Sequence, residues 1–255
     1  MTGIRIDLNA DVGEGRIGAL GQDPALMPHI TSANVACGFH AGGPAVMRAT
    51  VALAGDHGVA VGAHPGFPDL EGFGRRELSV TPRDVEDFVV YQIGALAAIA
   101  AAQGVRLQHV KPHGALFNMA ARDAPLADAI ARATAVIDRG LILFGLPGSE
   151  LIAAGRRAGL RTASEGFADR AYRPDGTLVS RQEPGAVIHD PDIVVQRAVR
   201  MVRDGTVDAI DATVVPLSID TICVHGDTPG AAELAARVRA ALSEAGVEVK
   251  AIGAA

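Results

Sequence analysis

Short apolar runs alternate with longer amphipathic stretches along almost the whole chain. The runs have four to six residues and are typical of buried strands, whereas the stretches repeat apolar residues with the spacing of a helix. The predicted strands cover residues 4–8, 33–36, 59–63, 107–110, 141–144, 161–164, 219–224 and 247–250. The predicted helices cover residues 44–58, 81–104, 126–133, 149–158, 192–204 and 231–245.

No linker or change of composition interrupts this alternation, so we expect a single domain over residues 1–255. A strand followed by a helix, repeated seven or eight times, predicts an α/β fold in the form of an irregular (β/α) barrel of seven or eight parallel strands. An open doubly wound sheet is the alternative, but its polar clusters would gather around one switch point. In this chain such clusters recur after most of the strands.

The first strand ends in a cluster of acids. Because side chains alternate between the two faces of a strand, Asp7, Asn9 and Asp11 share one face, and Glu14 follows between two glycines. Carboxylates this close together repel one another, which stabilises no fold but suits proton transfer or cation binding. A solvated N-terminal turn is the alternative for one such stretch taken alone.

Further polar residues follow the other strands. They are His40, His64, Lys111, His113, Glu165, Arg170, His225 and Asp227. Each histidine taken singly would more often be a hydrogen-bonded structural residue. Because the C-terminal ends of barrel strands meet at one mouth, the set together predicts a catalytic site there. The long loops over residues 64–80 and 172–191 are candidate lids.

Composition and motifs exclude several function classes. A net charge of −6 and only 4% aromatic residues argue against nucleic acid and anionic membranes as partners. The apolar run over residues 93–102 is too short to span a bilayer, and the chain opens without a secretory leader, so a cytoplasmic location is expected. Neither a nucleophile elbow nor a P-loop occurs. Cys37 and Cys223 are expected to be reduced thiols; a zinc site that joins them to His40 and His225 lacks a recognised spacing.

Six long motifs carry a resemblance to a known family. They are DLNADVGEG at 7–15, NVACGFHAG at 34–42, GAHPGFPD at 62–69, HVKPHGAL at 109–116, FADR at 167–170 and VHGD at 224–227. In this order they resemble the motif set of the LamB/YcsF family, which comprises the A subunits of a bacterial ATP-dependent 5-oxoprolinase. Ser180 departs from the family's frequent Leu-Val-Pro-Arg stretch, which bears on the shape of the second lid.

The resemblance implies a fold, a reaction and partners. The fold would be a (β/α) barrel of the glycoside hydrolase and deacetylase type. The reaction would consume 5-oxo-L-proline, ATP and water and yield L-glutamate, ADP and phosphate. Two further subunits, B and C, would be needed for full activity, with ATP as the cosubstrate. Whether copies of this chain associate with one another is left open.

Roles follow when the candidate residues are fitted to that reaction. An amide activated by ATP is phosphorylated on its oxygen, so cations are needed near that oxygen and a base near the water. We assign the first role to Lys111 and Arg170 and the second to Asp11 or Glu14. The remaining catalytic candidates are His64 and His113, as proton donors to the leaving nitrogen, and Glu165. Substrate binding is assigned to Asp7, Asn9, His40, His225 and Asp227.

Metal binding is a second hypothesis for the same cluster. Asp11, His64 and His113 resemble the carboxylate and two histidines that hold a divalent metal in the related deacetylases, and either magnesium or zinc is considered. Two rival classes remain. One is a metal-dependent carbohydrate or peptide deacetylase, which needs no ATP, and the other is a non-catalytic carrier that binds substrate for subunits B and C.

Overall fold

The computed structural model describes residues 3–15, 20–224 and 230–253 and contains ten strands and eight α-helices within them. The strands are β1 Arg5–Val12, β2 Ser32–Ala36, β3 Ala60–His64, β4 His109–Val110, β5 Ile142–Gly145, β6 Arg161–Phe167, β7 Thr206–Asp208, β8 Val214–Pro216, β9 Thr221–Val224 and β10 Glu248–Val249. The helices are α1 Asp23–Leu26, α2 Pro44–Asp56, α3 Pro82–Ala101, α4 Gly114–Ala120, α5 Ala124–Ile137, α6 Glu150–Arg157, α7 Pro191–Arg203 and α8 Ala231–Glu244.

Seven parallel strands close into a barrel in the order β1, β2, β3, β4, β5, β6, β9. Closure occurs at β1, which pairs with β2 on one edge and with β9 on the other, so that Asn9 stands opposite both Ser32 and Cys223. The predicted (β/α) barrel is therefore confirmed with seven strands. The open-sheet alternative is wrong, because within the described chain β6 returns through β9 to β1.

Two strand pairs lie outside the ring. β10 pairs only with the beginning of β1, at Arg5 and Ile6, and β7 forms an antiparallel pair with β8. The β7–β8 pair was not predicted, because each strand has three residues and only Val207 and Val215 are buried in it. Three residues are too few to show a period of two above the background of a polar loop.

Four of the described helices, α3, α5, α6 and α7, begin after a residue whose side chain accepts a hydrogen bond from an amide of the first turn. Thr81 accepts a hydrogen bond from the Asp84 amide and the Asp84 side chain accepts one from the Thr81 amide, which completes a capping box before α3. Asp123 and Ser149 cap α5 and α6 in the simpler way. Within the described ranges, no helix combines the length and the apolar character that crossing a bilayer requires.

The inside of the barrel is polar, and the apolar core lies outside it. Along β1, Ile6, Leu8 and Ala10 belong to the main hydrophobic cluster, while Asp7 and Asn9 point the other way. The buried polar residues contributed by the barrel strands and their ends are Asp7, Asn9, Asp11, Ser32, Asn34, His64, His109, Lys111, Glu165 and Thr221. Because buried polar groups cost free energy unless they are paired, these side chains must form a connected network.

His109 fills the middle of the barrel. Its ring stacks on Phe144 with centroids 4.3 Å apart and planes 9° apart. On the other side lies Gly62, where an added Cβ would be 2.1 Å from His109 Nε2. A side chain at position 62 is therefore incompatible with the ring, and the glycine is required by close packing inside the barrel.

We predict that Gly62→Ala lowers the free energy of unfolding by about 3 kcal/mol or more, because one extra methyl in a filled interior must displace the His109 ring. Urea denaturation measures the effect. Gly94→Ala is the matched control, since Gly94 lies in α3 and an added Cβ there meets nothing within 4 Å. That control should gain about 0.5–1 kcal/mol from helix propensity. Equal effects of the two substitutions would contradict the packing argument.

Candidate functional site

A cavity of about 930 Å³ opens at the C-terminal ends of the barrel strands. The predicted site residues that line it are Asp11, Glu14, His64, Lys111, His113 and Arg170. Both predicted lid segments contribute to its wall, through Arg75 and Arg76 from one and through Thr177 to Gln182 from the other. The structure therefore brings six of the twelve predicted site residues to one mouth.

Four side chains converge at the floor of this cavity or directly behind it. One ligand atom from each of Glu14, His40, His64 and His113 can be chosen so that all four lie within 4.8 Å of one another. Each residue stands at or just after the C-terminal end of a different strand, from β1 to β4. Neighbouring parallel strands thus place the four groups side by side.

His64 and His113 face each other through ring nitrogens that carry no hydrogen when both rings are neutral. His64 Nδ1 lies 2.7 Å from the Lys111 carbonyl, and His113 Nε2 lies 2.8 Å from the Phe73 carbonyl. A carbonyl oxygen only accepts, so these two nitrogens are the donors. The remaining nitrogens, His64 Nε2 and His113 Nδ1, are 2.9 Å apart with a lone pair on each. Such a contact is repulsive until a proton or a metal cation lies between them.

The surroundings of this histidine pair favour a cation other than a proton. Burial, followed by the neighbouring histidines, lowers the pKa of His113 well below its ordinary value. Burial lowers the pKa of His40 in the same way. Carboxylate oxygens nevertheless stand close, because Glu14 Oε1 is 3.5 Å from His113 Nδ1 and 3.2 Å from His40 Nε2. Neutral imidazoles beside a carboxylate are the donors that a transition metal prefers.

The residues that could hold a metal ion differ in part from the predicted set. Asp11 was expected to join His64 and His113, whereas the structure groups Glu14 and His40 with them. Asp11 Oδ2 is 3.4 Å from His64 Nε2, but its Oδ1 accepts hydrogen bonds from Lys111 and Asn34. Asp11 therefore stands between the histidine cluster and the buried lysine.

Lys111 is a buried cation among acids. Its Nζ lies 2.8 Å from Asp11 Oδ1, 3.0 Å from Glu165 Oε1 and 3.0 Å from Cys223 Sγ. Burial alone would lower the pKa of Lys111, but Asp11 and Glu165 outweigh it and hold the pKa well above its ordinary value. The ammonium group is thus charged and directed at the cavity floor, where it can stabilise a negatively charged oxygen.

Glu165 is fully buried on the inner side of Lys111. Its Oε1 accepts a hydrogen bond from Asn9 at 2.9 Å, and its Oε2 has no hydrogen-bond partner among the described residues. Burial raises the pKa of Glu165. The structure places this predicted catalytic residue behind Lys111, outside the lining of the cavity.

A chain of hydrogen bonds below the floor holds these groups in position. His109 Nε2 donates to Asn34 Oδ1 at 2.7 Å, and Asn34 Nδ2 donates to Asp11 Oδ1 at 2.8 Å. Sequence reasoning missed His109 and Asn34. A signal for His109 was its position two residues before Lys111 on the same strand face, and Asn34 stands opposite Asp11 in the register of β1 and β2.

Asp7 does not reach the mouth, and the expectation that it lies there is wrong. It precedes Asp11 by four strand residues, a distance of roughly 13 Å along the strand. Its carboxylate accepts hydrogen bonds from Thr31, Ser32 and Thr221 inside the barrel. Asn9 likewise lies beneath the floor, between Lys111 and Glu165.

The predicted residues His225 and Asp227 lie outside the described residues. His40 is buried behind the cavity, with its ring stacked parallel to that of His113 at 3.8 Å between centroids. Phe73, whose carbonyl fixes the hydrogen on His113 Nε2, was missed by sequence reasoning. The contact is made by the backbone carbonyl of Phe73, a loop residue with a φ of 55°. Any residue type has such a carbonyl, so the sequence does not indicate this contact.

A seven-stranded (β/α) barrel with histidines and carboxylates at its C-terminal mouth has the architecture of a hydrolase-like barrel. A sequence profile of the LamB/YcsF family matches residues 6–255, and the chain belongs to this family, as its motifs predicted. The A subunit of 5-oxoprolinase from Tolumonas auensis is 55% identical over 249 residues, which cover 97% of this chain and 99% of that relative.

Solved structures agree with this assignment. The crystal structure of the lactam utilization protein from Thermus thermophilus superposes with a TM-score of 0.91 at 51% identity, covering 97% of this chain and 100% of the other. A peptidoglycan deacetylase, PdaC from Bacillus subtilis, has a TM-score of 0.50 at 13% identity over 98% of this chain and 89% of the other. The second likeness concerns the fold alone.

The buried His109 predicts a pH dependence of stability. Burial lowers the pKa of His109 from 6.5 to about 3, so the folded chain stays unprotonated there while the unfolded chain takes up a proton below about pH 6.5. The native state therefore loses stability at this residue as the pH falls. We expect the stability advantage of the wild type over His109→Gln to shrink by about 2 kcal/mol between pH 7 and pH 5.

Urea denaturation of wild type and His109→Gln at several pH values measures this difference. A constant difference between wild type and His109→Gln would show that the ring is protonated inside the barrel.

Proposed function

We propose that this chain is the hydrolytic A subunit of an ATP-dependent 5-oxoprolinase that works with subunits B and C. The observation that carries the proposal is the joint presence, in one cavity, of the buried Lys111 ammonium and the His64–His113 pair with Glu14. Relatives at about 55% identity over nearly the whole chain are named as A subunits of 5-oxoprolinase, which supports the choice of a lactam as substrate.

The overall reaction joins 5-oxo-L-proline, ATP and two waters to give L-glutamate, ADP and phosphate. A lactam is an unreactive amide, and phosphorylation of its oxygen makes the ring carbon a better electrophile. Water then attacks that carbon, the bond from the carbon to the ring nitrogen breaks, and the nitrogen takes a proton. The bound phosphoryl group leaves as phosphate when the second water replaces it.

Lys111 has the position and charge to stabilise the oxygen on the reacting carbon. Its pairing with Asp11 and Glu165 keeps it protonated, and it lines the cavity. Asp11 and Glu14 are the carboxylates within reach of a water at the floor and can accept its proton. Arg170 supplies further positive charge to the cavity wall.

The donor set fits a divalent metal. Glu14, His64 and His113, with His40 beside them, would hold it, and their facing atoms are 2.9–3.9 Å apart. Two donors at zinc-like bond lengths in a tetrahedral arrangement stand about 3.3 Å apart. Imidazole nitrogens favour zinc or a similar transition metal over magnesium. When bound, such an ion would polarise the substrate oxygen or acidify a water.

Metal binding and proton donation exclude each other at His64 and His113, because each uses the same lone pairs. If no metal is held, a proton shared between the two rings would be available to the leaving nitrogen. The proton would also relieve the repulsion between His64 Nε2 and His113 Nδ1, which are 2.9 Å apart. Metal analysis therefore decides both the cofactor and the role of the pair.

We predict that the purified chain carries about one transition-metal ion per copy and that Glu14→Gln and His113→Gln each lower this content severalfold, since each removes a donor. Elemental analysis after dialysis is the measurement. His189→Gln is the control, because His189 lies on the second lid and outside the donor group. Metal-free protein whose turnover resists chelators would leave only the shared-proton alternative.

The central test is 5-oxoproline turnover by the chain alone and together with subunits B and C, with and without ATP. We expect glutamate to form only when the partner subunits and ATP are both present. A need for ATP fits the cytoplasmic location that the sequence predicts. ATP-independent release of acetate from an acetylated sugar or peptide would favour a deacetylase instead. Wild-type turnover by assemblies in which the mouth residues are substituted would favour a carrier.

Lys111→Met is expected to lower kcat/KM about 10²–10³-fold in the complete assembly, because it removes the charge that faces the developing oxyanion. The matched control is Lys250→Met, at the chain's only other lysine. Circular dichroism and co-purification with the partners check that Lys111→Met still folds and assembles. Turnover of a folded, assembled Lys111→Met within a few-fold of wild type would rule out this role.

A further inference from the structure

The wall of the cavity carries an excess of positive charge above an acidic floor. Six of the residues that line it are arginines, namely Arg75, Arg76, Arg122, Arg170, Arg173 and Arg181. Three of these pair with carboxylates, because Arg76 contacts the buried Asp69, and Arg122 and Arg173 contact the exposed Glu77 and Glu183. Arg170 and Arg181 distinguish this cavity from an ordinary solvated surface.

Arg170 is a buried guanidinium held by carbonyls. It is 4% exposed, and it donates to the Val179 carbonyl at 2.6 Å and to the Ala186 carbonyl at 3.2 Å. Burial, then the neighbouring Arg181, lowers its pKa to about 10, so it remains charged at neutral pH. A buried charge held mainly by neutral carbonyls is costly, and an anion in the cavity would offset that cost.

Arg181 adds a second guanidinium to the same wall. It is half-buried, and within the described ranges it makes no hydrogen bond or ion pair with another residue. Arg75 reaches the cavity from the first lid and also acts on Arg170 as a like charge. Three guanidinium groups thus line one cavity, and two of them act on Arg170 as like charges, an arrangement that suits an anion with more than one negative charge.

The charges are separated along the cavity. Asp11 and Glu14 lie with Lys111 and the histidines, whereas Arg170 follows β6 and Arg181 belongs to the second lid. A molecule that presents a reacting carbon to the floor would therefore direct a dianionic group toward the wall. The cavity of about 930 Å³ is much larger than a five-membered lactam requires, which leaves room for such a group.

We propose that Arg170 and Arg181, assisted by Arg75, bind the phosphoryl group of a lactam that reaches this chain already phosphorylated. The inference rests on the proposed function and names its substrate class: the phosphoryl donor acts elsewhere, and this cavity receives the activated lactam. Arginine suits the task because its planar fork binds two phosphoryl oxygens at once.

Binding of inorganic phosphate to the full chain tests the site without requiring turnover. We expect calorimetry to detect phosphate binding to wild type, and Arg181→Gln and Arg75→Gln each to weaken it about tenfold or more. Arg132→Gln is the matched control, since Arg132 pairs with Glu86 on the helical surface outside the cavity. The control should bind phosphate as wild type does. Thermal melting of each variant checks that it is folded.

Three other results would overturn the proposal. One is a chain that does not bind phosphate. Another is Arg181→Gln weakening 5-oxoproline while leaving phosphate unchanged, which would assign the arginines to the substrate carboxylate. The third is ATP binding to the chain alone and depending on Arg181, which would place phosphoryl transfer in this cavity. If the wild-type assembly lacks 5-oxoprolinase activity but phosphate binding depends on Arg181 and Arg75 as expected, the proposed function is wrong while the anion site itself is supported.

Discussion

The ammonium group of Lys111, held 2.8 Å from Asp11 and 3.0 Å from Glu165, is the interaction on which the barrel interior depends. Two carboxylates buried this deeply would otherwise repel each other and take up protons. The lysine neutralises part of their charge, Asn9 donates a hydrogen bond to Glu165 Oε1, and Asn34 donates one to Asp11 Oδ1. A network of this kind is stable only when nearly all of its members are paired, which explains why the polar residues reach from Asp11 down to Asp7.

The same network gives the mouth its chemistry. Because Asp11 Oδ1 is occupied by Lys111 and Asn34, only its Oδ2 faces His64. His64 in turn donates to the Lys111 carbonyl, so one residue supplies both the buried charge and the acceptor that orients the imidazole. The backbone and the side chain of a single lysine thereby link the barrel interior to the histidine cluster. A shift of Lys111 would therefore disturb both groups of residues.

Much of the fold and part of the site could be predicted from the sequence. The alternation of apolar runs and helical stretches sufficed for a (β/α) barrel, and glycines beside acids and histidines after β1, β2, β3 and β4 marked the mouth. The distance of a strand residue from the mouth of the barrel could not be predicted, and Asp7 was therefore placed at the mouth. The alternation of apolar and polar residues shows which face of the strand a side chain occupies, but it does not show how far along the barrel that side chain lies. The carbonyl of Phe73 and the short β7–β8 pair left no pattern, since both depend on tertiary geometry.

The stacked rings of His109 and Phe144 close the barrel below the floor. Gly62 lies against the other face of His109, where even a methyl group would clash with the ring. Among the described residues, packed side chains therefore fill the barrel beneath the cavity. A ligand at the cavity floor is therefore bordered by the two lid segments, which line the wall, and the stacked rings set how deep into the barrel it can extend.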